Sequence, residues 1–528
     1  MKIRSDNRPA MFLSEVYGLA RFTLNVKPFL REKISIEEAQ AAIRERMQVR
    51  ERSFVEMLSR AVFANRRSPY RKLFEAAGCE LADVEKLARS EGIEGALRKL
   101  STAGIYVSFD ELKGRRAAVR GSQRFHFREN DFNNSLIGGH YQASSGGSGG
   151  RPSRITIDLD YLADRAPLWA VWFAVHGLLS SSLVFLTPFH HGMVNLQLIC
   201  ARFGNRFVKW FATASGGSLP YRITSNYLHG LMQWAGGFPS PEFIAAADFG
   251  RVVEFLGRLQ RAGMRPAVNC SPSQAIRVCA ASQSRGESLR GTTFLLGYEP
   301  LTPARRETIE ASGAAVAMTY GFSEGGTVGQ QCSHPTHADD VHIASDAFAV
   351  VSRRREVKSE TVEALALTAL RLTSPKVLLN AEIGDQAIIE TRRCGCPFDE
   401  LGYFDHLHTI RSFEKLTGLG VTFAGADLFH LLEEKLPKKF GGSATDYQLV
   451  EEQDHRGFPR YSLIVSPEVG SIDEQALVSA FLDGLAGMAR SYPVMVNAWT
   501  EAHLVKVIRR HPLPTAAGKI FPFRTLKA

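Results

Sequence analysis

The chain has 528 residues, of which 45% are hydrophobic and 22% are charged, a composition typical of globular proteins. This length exceeds what one hydrophobic core usually holds, so we expect at least two domains. The net charge of +10 comes from scattered lysines and arginines, with one tight triplet at Arg353-Arg354-Arg355. Because no basic stripe is interleaved with aromatic residues, the sequence does not predict a nucleic-acid-binding protein.

The cysteines and the N-terminus indicate a cytoplasmic protein. Seven cysteines are spread along the chain without the spacing of a disulfide framework. Met1 to Asp6 lack the apolar core of a secretion signal. The segment from Leu168 to Leu186 contains no Asp, Glu, Lys or Arg and is long enough to span a bilayer. It also contains Ser180 to Ser182, so we interpret it as a buried helix, a break and a core strand at Leu183 to Leu186, not as a membrane span.

The first third of the chain is predicted to be helical. Ser35 and Glu38 have the spacing of a capping box, which predicts the start of a helix. Apolar residues then follow at helical spacing, at Ile43, Met47, Phe54, Leu58 and Val62.

A glycine-rich segment with hydroxyl groups and one arginine extends from Ser144 to Pro152. Glycine adopts positive φ without steric cost, so backbone N–H groups can converge on an anion such as phosphate. Ser145, Ser148 and Arg151 would add further donors. A flexible linker has a similar composition, but the alternating residues Arg154 to Leu159 predict a strand directly afterwards, which favours a turn. The spacing differs from that of the common nucleotide-binding loops, so the pattern indicates a phosphate loop on another scaffold.

Helical and strand patterns alternate through the middle of the chain. We predict helices at Gln274 to Ala281 and Thr302 to Ser312, and strands at Thr293 to Leu296 and Ala315 to Thr319. This alternation predicts sheets that are covered by helices.

Two carboxylates in this region are candidate ligand-binding groups. Tyr320 to Glu324 follow a predicted strand, at the edge where α/β proteins bind ligands. Glu324 could hold Mg²⁺ beside a triphosphate, or it could be an exposed loop residue. Asp385 ends a predicted turn, Asn380 to Asp385, ahead of a predicted strand at Gln386 to Glu390. It could accept hydrogen bonds from a ribose diol, or serve only as a turn residue.

The pattern changes after about residue 410 to that of a small α+β domain. Tyr447 to Val450 and Tyr461 to Val465 predict a hairpin, and Pro493 to Trp499 and Leu504 to Ile508 predict two more strands. Ser471 and Glu474 are predicted to cap the start of a helix. The apolar face of this helix includes Leu477, Phe481, Leu482, Leu485 and Met488.

Two further patterns carry possible chemistry. Lys519 ends the irregular segment that starts at Leu513, and its flexible stem could neutralise a transferring carboxylate or phosphate; a solvated lysine near the C-terminus is the alternative. Cys394-Gly395-Cys396 and Cys332, with a histidine from His334, His337 or His342, could form a Cys₃His zinc site, and free thiols are the alternative. The predicted zinc ligands are Cys332, His342, Cys394 and Cys396.

In their order along the chain, these motifs resemble those of the adenylate-forming enzyme superfamily, which comprises acyl- and aryl-CoA ligases, luciferases and peptide-synthetase adenylation domains. The similar segments are Ser145 to Pro152 (phosphate loop, with Gly149 in place of a hydroxyl residue), Gly297 to Leu301 (adenine side), Tyr320 to Glu324 (with Ser323 for Thr), Gly384-Asp385 (ribose, with Ile383 for Thr) and Pro514 to Lys519 (C-terminal lysine). The resemblance covers most of the chain.

Other segments match less fully. Pro188 to Gly192 resembles a shortened acyl-tunnel motif, which makes His190 a candidate catalytic residue. The hinge motif survives only as Arg411 and Gly420, with Phe413 where Asp is expected, and Arg411 is a candidate contact for ribose or phosphate. The N-terminal half resembles most the phenylacetate–CoA ligase branch, some members of which look similar at the cysteine cluster.

The resemblance implies an α/β fold with two domains. Residues 1–409 would form a large N-terminal adenylation domain of helix-covered β-sheets, and residues 410–528 a small, mobile C-terminal α+β domain. The implied activity is ATP-dependent conversion of a small-molecule carboxylic acid to an acyl-adenylate, followed by transfer to a thiol, with coenzyme A as the expected acceptor. The alternatives are an acyl-carrier-protein or acyl-protein synthetase, an amide-forming ligase and a catalytically silent nucleotide-binding module.

The resemblance also assigns roles to residues. Lys519 would bridge the carboxylate and the α-phosphate, and Glu324 would hold Mg²⁺. The implied ATP-binding residues are Ser145, Gly146, Gly147, Ser148, Gly149, Gly150, Arg151, Gly297, Tyr298, Glu299, Tyr320, Gly321, Ser323, Asp385 and Arg411.

Overall fold

The structure is a computed structural model. It describes residues 8–144, 154–189, 192–213, 219–245, 248–357, 360–412, 425–453, 459–486, 496, 499–500, 504–515 and 518–526.

The described strands, in chain order, are β1 (Ala118–Arg120), β2 (Gln123–Phe125), β3 (Tyr141–Ser144), β4 (Arg154–Ile157), β5 (Ser182–Leu186), β6 (Arg206–Ala212), β7 (Pro241–Phe243), β8 (Pro266–Cys270), β9 (Thr293–Leu296), β10 (Ala315–Phe322), β11 (Gly326–Gln330), β12 (Val341–Ile343), β13 (Phe348–Val357), β14 (Glu360–Ala369), β15 (Ala381–Thr391), β16 (Asp405–Ser412), β17 (Tyr447–Gln453), β18 (Pro459–Val465), β19 (Val505–Arg509) and β20 (Phe523–Thr525).

The α-helices are α1 (Arg8–Arg31), α2 (Ile36–Gln48), α3 (Arg50–Met57), α4 (Pro69–Ala77), α5 (Leu81–Thr102), α6 (Phe109–Leu112), α7 (Leu159–Val175), α8 (Gly192–Arg202), α9 (Leu219–Gly236), α10 (Gly250–Arg261), α11 (Pro272–Ser284), α12 (Pro303–Ala311), α13 (Gly425–His430), α14 (Leu436–Phe440) and α15 (Glu474–Ala486). A π-helical turn follows α3 at Leu58–Phe63 and another follows α13 at Leu431–Lys435.

One mixed sheet of twelve strands dominates the structure, in the order β13, β14, β15, β16, β12, β11, β10, β9, β8, β5, β6, β7. The strands from β7 to β10 in this order run parallel, and β10 then turns back into the antiparallel strand β11. The carboxyl ends of β8, β9 and β10 therefore lie side by side, at the edge where parallel sheets bind ligands.

Helices cover both faces of the parallel half of the sheet. Within β5, Leu183 and Phe185 belong to the larger core, whereas Val184 and Leu186 belong to the second core on the opposite face. A strand that is buried on both faces has a continuous apolar sequence, as this one does. The predicted α/β class with helix-covered sheets is confirmed.

The uncharged segment from Leu168 to Leu186 divides as predicted. Helix α7 ends at Val175, and β5 begins at Ser182 after a turn. Among the helices that the structure describes, none combines the length and the apolar character that crossing a membrane requires.

Several other sequence predictions are confirmed locally. The capping box of Ser35 and Glu38 starts α2, and strand β9 has the predicted bounds Thr293–Leu296. The predicted turn at Asn380 to Asp385 is wrong, because β15 begins at Ala381 and already includes Asp385. Positive φ angles at Asn380 and Gly384 are the features that resembled a turn in the sequence.

The C-terminal part has its own sheet and core. Strands β19, β18, β17 and β20 form a four-stranded sheet, with β17 and β18 in the predicted antiparallel hairpin. Leu449 and Phe481 lie in a core that is separate from the two cores of the large sheet. This α+β part confirms the predicted smaller C-terminal unit.

Two predictions in the C-terminal part are wrong. The side chain that accepts hydrogen bonds from the first turn of α15 is Asp473, not Ser471. The predicted strand at Pro493 to Trp499 is helical where the structure describes it, at Val496 and Trp499. The Trp499 ring stacks on Tyr461 in the C-terminal core.

Candidate active site

The predicted phosphate loop, Ser145 to Pro152, and the predicted acyl-tunnel histidine, His190, lie outside the described residues. The strands on either side of the loop are described, and Ser144 at the end of β3 pairs with Arg154 at the start of β4. The strand predicted to follow the loop is therefore confirmed for Arg154–Ile157, but it is shorter than predicted, because Asp158 caps α7 and Leu159 begins this helix.

The segment after β9 places a backbone carbonyl at the carboxyl edge of the sheet. Tyr298 has φ of 73°, a left-handed conformation that is uncommon for a bulky residue and often occurs at functional sites. Its phenol O–H donates to Asn269 Oδ1 in the neighbouring strand β8, at 3.1 Å. This contact ties the Tyr298 side chain to β8.

Lys519 reaches the same carbonyl from the C-terminal part. Its Nζ donates a hydrogen bond to the Tyr298 carbonyl oxygen at 3.1 Å and lies 5.7 Å from the centre of the Tyr298 ring. Thr515 supports the backbone of the lysine, because its N–H donates to the Lys519 carbonyl at 2.8 Å and its Oγ1 accepts from the Lys519 N–H at 3.2 Å. The tertiary structure thus brings together two residues that the sequence predicted for one site.

A small cavity of about 50 Å³ adjoins this lysine segment. Its walls include Thr213, Gln274, Thr515 and Gly518. The cavity therefore separates Thr515 and Gly518, next to the lysine, from Gln274 of α11.

Tyr320 and Asp385 also come together. The Tyr320 O–H in β10 donates to Asp385 Oδ2 in β15 at 3.0 Å. Burial of the ring, and then the charge of Asp385, raise the pKa of Tyr320 well above its usual range, so the phenol remains a donor. The two residues predicted to contact adenine and ribose are thus in direct contact, at a strand adjacent to β9.

The hairpin that carries Glu324 depends on a close approach of two strands. A Cβ on Gly321 would lie 2.4 Å from the Gly326 carbonyl oxygen and 2.9 Å from the Thr327 Cα, so a side chain at this position would push β10 and β11 apart. The strand extends to Phe322, further than predicted, and Ser323 and Glu324 lie in the turn.

Glu324 is buried and neutralised by a lysine. Its carboxylate forms an ion pair with Lys113, whose Nζ also lies 3.0 Å from Glu129 Oε1. A second lysine, Lys376, donates to the Glu129 carbonyl at 3.1 Å and to Asn133 Oδ1 at 2.9 Å. Burial lowers the pKa of Lys376. Sequence reasoning missed both lysines, because nothing in their local sequence places them beside Glu324.

Glu299 occupies a buried position instead of facing an open pocket. Its Oε2 accepts hydrogen bonds from Ser273 Oγ at 2.6 Å and from Arg305 Nη1 at 2.8 Å, and its side chain is 0% exposed. Arg411 is also buried and donates to Asp339 Oδ2 at 2.7 Å. The guanidinium of Arg411 lies 5.5 Å from the centre of the Phe429 ring in the C-terminal part.

The four predicted zinc ligands form a compact cluster. The sulfur and imidazole donor atoms of Cys332, His342, Cys394 and Cys396 all lie within 4.8 Å of one another. His342 Nε2 lies 3.4 Å from Cys394 Sγ and 3.3 Å from Cys396 Sγ. Three thiols and one imidazole are the donor set of a tetrahedral zinc site, so the residues fit this metal.

The surroundings of the cluster orient its ligands. His342 Nδ1 lies 2.7 Å from the Tyr403 carbonyl oxygen, which fixes the proton on Nδ1 and directs the Nε2 lone pair towards the sulfurs. Hydrogen bonding with Cys332 and then with His342 lowers the pKa of the Cys396 thiol, despite its burial.

The sequence matches no protein-family model and no curated protein. Among solved structures, the chain is similar to ATP-bound MatB from Rhodopseudomonas palustris, with 12% identity over 72% of this chain and 67% of that chain and a TM-score of 0.42. It is also similar to the anthranilate CoA ligase AuaEII in complex with anthranoyl-AMP, with 13% identity over 80% and 74% of the two chains and a TM-score of 0.43. A third similar structure is McyG A-PCP complexed with phenylalanyl-adenylate, with 11% identity over 83% of this chain and 72% of that chain and a TM-score of 0.43. Identities and TM-scores at this level do not assign an activity to this chain.

Proposed function

We propose that this protein activates a carboxylic acid with ATP to form an acyl-adenylate and pyrophosphate, and then transfers the acyl group to a thiol. The observation that carries the proposal is the hydrogen bond of Lys519 Nζ to the Tyr298 carbonyl, at the carboxyl edge of β9. The order of the sequence motifs supports the same reaction.

The first half-reaction brings two anions together. A carboxylate oxygen of the substrate attacks the α-phosphorus of ATP, and the bond from this phosphorus to the pyrophosphate oxygen breaks. A cation between the carboxylate and the α-phosphate lowers the repulsion, and catalysis of this kind depends on such positioning and charge neutralisation. Lys519 has a compact charge on a flexible stem, which suits this task.

The nucleotide would bind at the carboxyl ends of β9 and β10. One carboxylate oxygen of Asp385 accepts a hydrogen bond from Tyr320, and we assign the other oxygen to the ribose hydroxyls. Tyr298 and Tyr320 would frame the adenine, and residues 145–151 would hold the β- and γ-phosphates.

Glu324 is the residue we assign to Mg²⁺, because hard cations bind carboxylate oxygens. Bound there, Mg²⁺ would supply charge neutralisation for the triphosphate. The ion pair with Lys113 shows that the Glu324 carboxylate already faces a positive charge in this arrangement. Lys113 would then be freed to interact with a phosphate oxygen.

In the second half-reaction the thiol sulfur attacks the acyl carbonyl carbon, the bond from this carbon to the AMP phosphate oxygen breaks, and the thiol proton is released. We propose coenzyme A as the thiol and the cytoplasm, where ATP and reduced thiols occur, as the compartment. A carrier protein or an amine acceptor is the alternative. Residues 410–528 would act as the domain that delivers Lys519.

We further propose that Cys332, His342, Cys394 and Cys396 bind a structural zinc ion. The specific observation is the convergence of the four donor atoms together with the orientation of His342 by the Tyr403 carbonyl. Such a site would tie the segment after β11 to β12 and to the loop after β15.

The test is carboxylate-dependent exchange of labelled pyrophosphate into ATP, with a panel of aryl, fatty and amino acids that begins with phenylacetate. We expect exchange with at least one acid and none without acid or without Mg²⁺. Addition of coenzyme A, a carrier protein or an amine to the active pair then identifies the acceptor. Saturable ATP binding with no exchange for any acid would indicate the silent nucleotide-binding module instead.

A further inference from the structure

A fully buried arginine joins the large sheet region to the C-terminal part. Arg305, in the first turn of α12, has a side chain that is 1% exposed. Its Nη1 lies 2.8 Å from Glu299 Oε2, and its Nη2 lies 2.9 Å from Glu433 Oε1 in the π-helical turn Leu431–Lys435. One guanidinium therefore binds a carboxylate from each of the two parts.

The same arginine also binds the residue that follows Lys519. Its Nη2 donates to the Ile520 carbonyl oxygen at 2.9 Å, and the Ile520 N–H donates to Ser273 Oγ at 3.1 Å. Both backbone polar groups of Ile520 are thus held by side chains from the first turns of α11 and α12.

Ser273 and Glu299 close this network. Ser273 Oγ donates to Glu299 Oε2 at 2.6 Å, and the Ser273 N–H donates to the same oxygen at 3.2 Å. The Thr302 hydroxyl, which caps α12, donates to Glu433 Oε2 at 2.6 Å. The buried carboxylates therefore accept hydrogen bonds at two helix N-termini, where negative charge is favoured.

A buried ion-pair network is a weak source of stability, because removing the charges from water offsets most of their attraction. It does select one geometry, since the planar fork of an arginine binds several acceptors only in one orientation. Lysine has a long stem with many rotamers, so its ammonium group reaches one point reliably only where the backbone is fixed. The Ile520 contacts fix this backbone one residue away from Lys519.

We propose that Arg305 and Ser273 are positioning residues that hold Lys519 at the Tyr298 carbonyl for the adenylation half-reaction. This inference rests on the proposed function. Since Arg305 binds both Glu433 and Ile520, any displacement of the C-terminal part breaks both contacts together. Lys519 is therefore held in place only while the C-terminal part keeps this position.

The main test uses Ser273→Ala, which removes the hydroxyl that binds Ile520 and leaves the Arg305–Glu433 pair in place. We expect kcat for pyrophosphate exchange to fall about tenfold, the scale of one lost hydrogen bond to a positioned group, with KM for ATP within twofold. Transfer to the thiol from a supplied acyl-adenylate should also stay within twofold of wild type.

Arg305→Lys is the second variant, because it keeps the charge that Glu299 and Glu433 require but loses the fork. It should lower exchange at least as much as Ser273→Ala, again with the thiol step preserved. The matched control is Arg306→Met, since the neighbouring Arg306 binds Glu310 and Gln331 and makes no contact with Ile520 among the described residues.

A readout that does not depend on activity is hydrogen–deuterium exchange of the peptide 518–526. We expect faster exchange at this peptide in Ser273→Ala and Arg305→Lys, with unchanged exchange in β17 and β18. If the wild type catalyses pyrophosphate exchange and both variants match it, or if both half-reactions fall equally, the positioning role is wrong while the proposed function stands. If the wild type shows no exchange with any acid, the proposed function and this role both fail, whatever the peptide exchange shows.

Discussion

The Lys519 ammonium group and the Tyr298 backbone carbonyl are hydrogen-bonded at 3.1 Å, although 221 positions separate the two residues in the sequence. The carbonyl belongs to a residue with a left-handed backbone, at the carboxyl end of β9. The lysine comes from the C-terminal part, where its backbone carbonyl accepts a hydrogen bond from the Thr515 N–H. A site formed in this way exists only when the two parts of the chain are in contact.

Replacing Lys519 by alanine should slow adenylation by at least about 10²-fold, the scale of one preorganised charge contact in an active site. Thioester formation from a supplied acyl-adenylate should change much less, because the α-phosphate bond has already formed. The measurement compares the two half-reactions in Lys519→Ala and in Lys506→Ala, where the lysine is exposed on β19. Wild-type exchange in Lys519→Ala would contradict the assignment.

Asp385→Asn should raise KM for ATP about tenfold, because the amide accepts and donates where the proposed ribose site needs only acceptors. Unlike the lysine variant, it should weaken both half-reactions, since the acyl-adenylate retains the ribose. Asp405→Asn, at the opposite end of the β15–β16 pair, is the control. Equal ATP dependence in Asp385→Asn and wild type would remove Asp385 from the nucleotide site.

Because Lys113 and Glu324 form an ion pair, we expect substitutions of the two residues to change the Mg²⁺ concentration for half-maximal exchange in opposite directions. Glu324→Gln should raise the Mg²⁺ concentration for half-maximal exchange at least tenfold, because the carboxylate ligand is lost. Lys113→Met should lower this concentration, because the cation no longer competes with an ammonium group for Glu324. Lys72→Met, on the exposed face of α4, should leave it unchanged. A higher Mg²⁺ requirement in Lys113→Met would show that Lys113 does not compete with the metal.

Metal analysis tests the cysteine cluster. The purified protein should contain about one zinc per chain, and Cys394→Ser and Cys396→Ser should lose it, whereas Cys79→Ser, outside the cluster, should retain it. Removal of zinc by a chelator should lower the melting temperature by about 5 °C or more, because a ligand that binds only the folded state stabilises it. Metal-free protein with unchanged stability would leave the cluster as free thiols.

Local patterns in the sequence determined much of the secondary structure. The Ser35–Glu38 capping box, strand β9 and the hairpin of β17 and β18 follow from rules that act within a few residues. The same rules failed where packing decided the outcome. The sequence that leads up to Trp499 is typical of a strand, yet the backbone of Trp499 is helical. The ring of Trp499 stacks on that of Tyr461, with ring centres 3.9 Å apart.

The sequence by itself named the candidate site residues: Tyr320, Glu324, Asp385, Lys519 and the four proposed zinc ligands were all predicted from their motifs and residue types. Only the tertiary structure decided their partners. Tyr320 binds Asp385 from 65 positions away, Lys113 binds Glu324 from 211, and Arg305 binds Glu433 from 128. A motif specifies the groups of a few neighbouring residues, whereas contacts over such distances depend on strand order and on the packing of the C-terminal part against the large sheet. The contacts of Arg305 with Glu433 and Ile520 likewise join residues far apart in the sequence, so local patterns do not predict them.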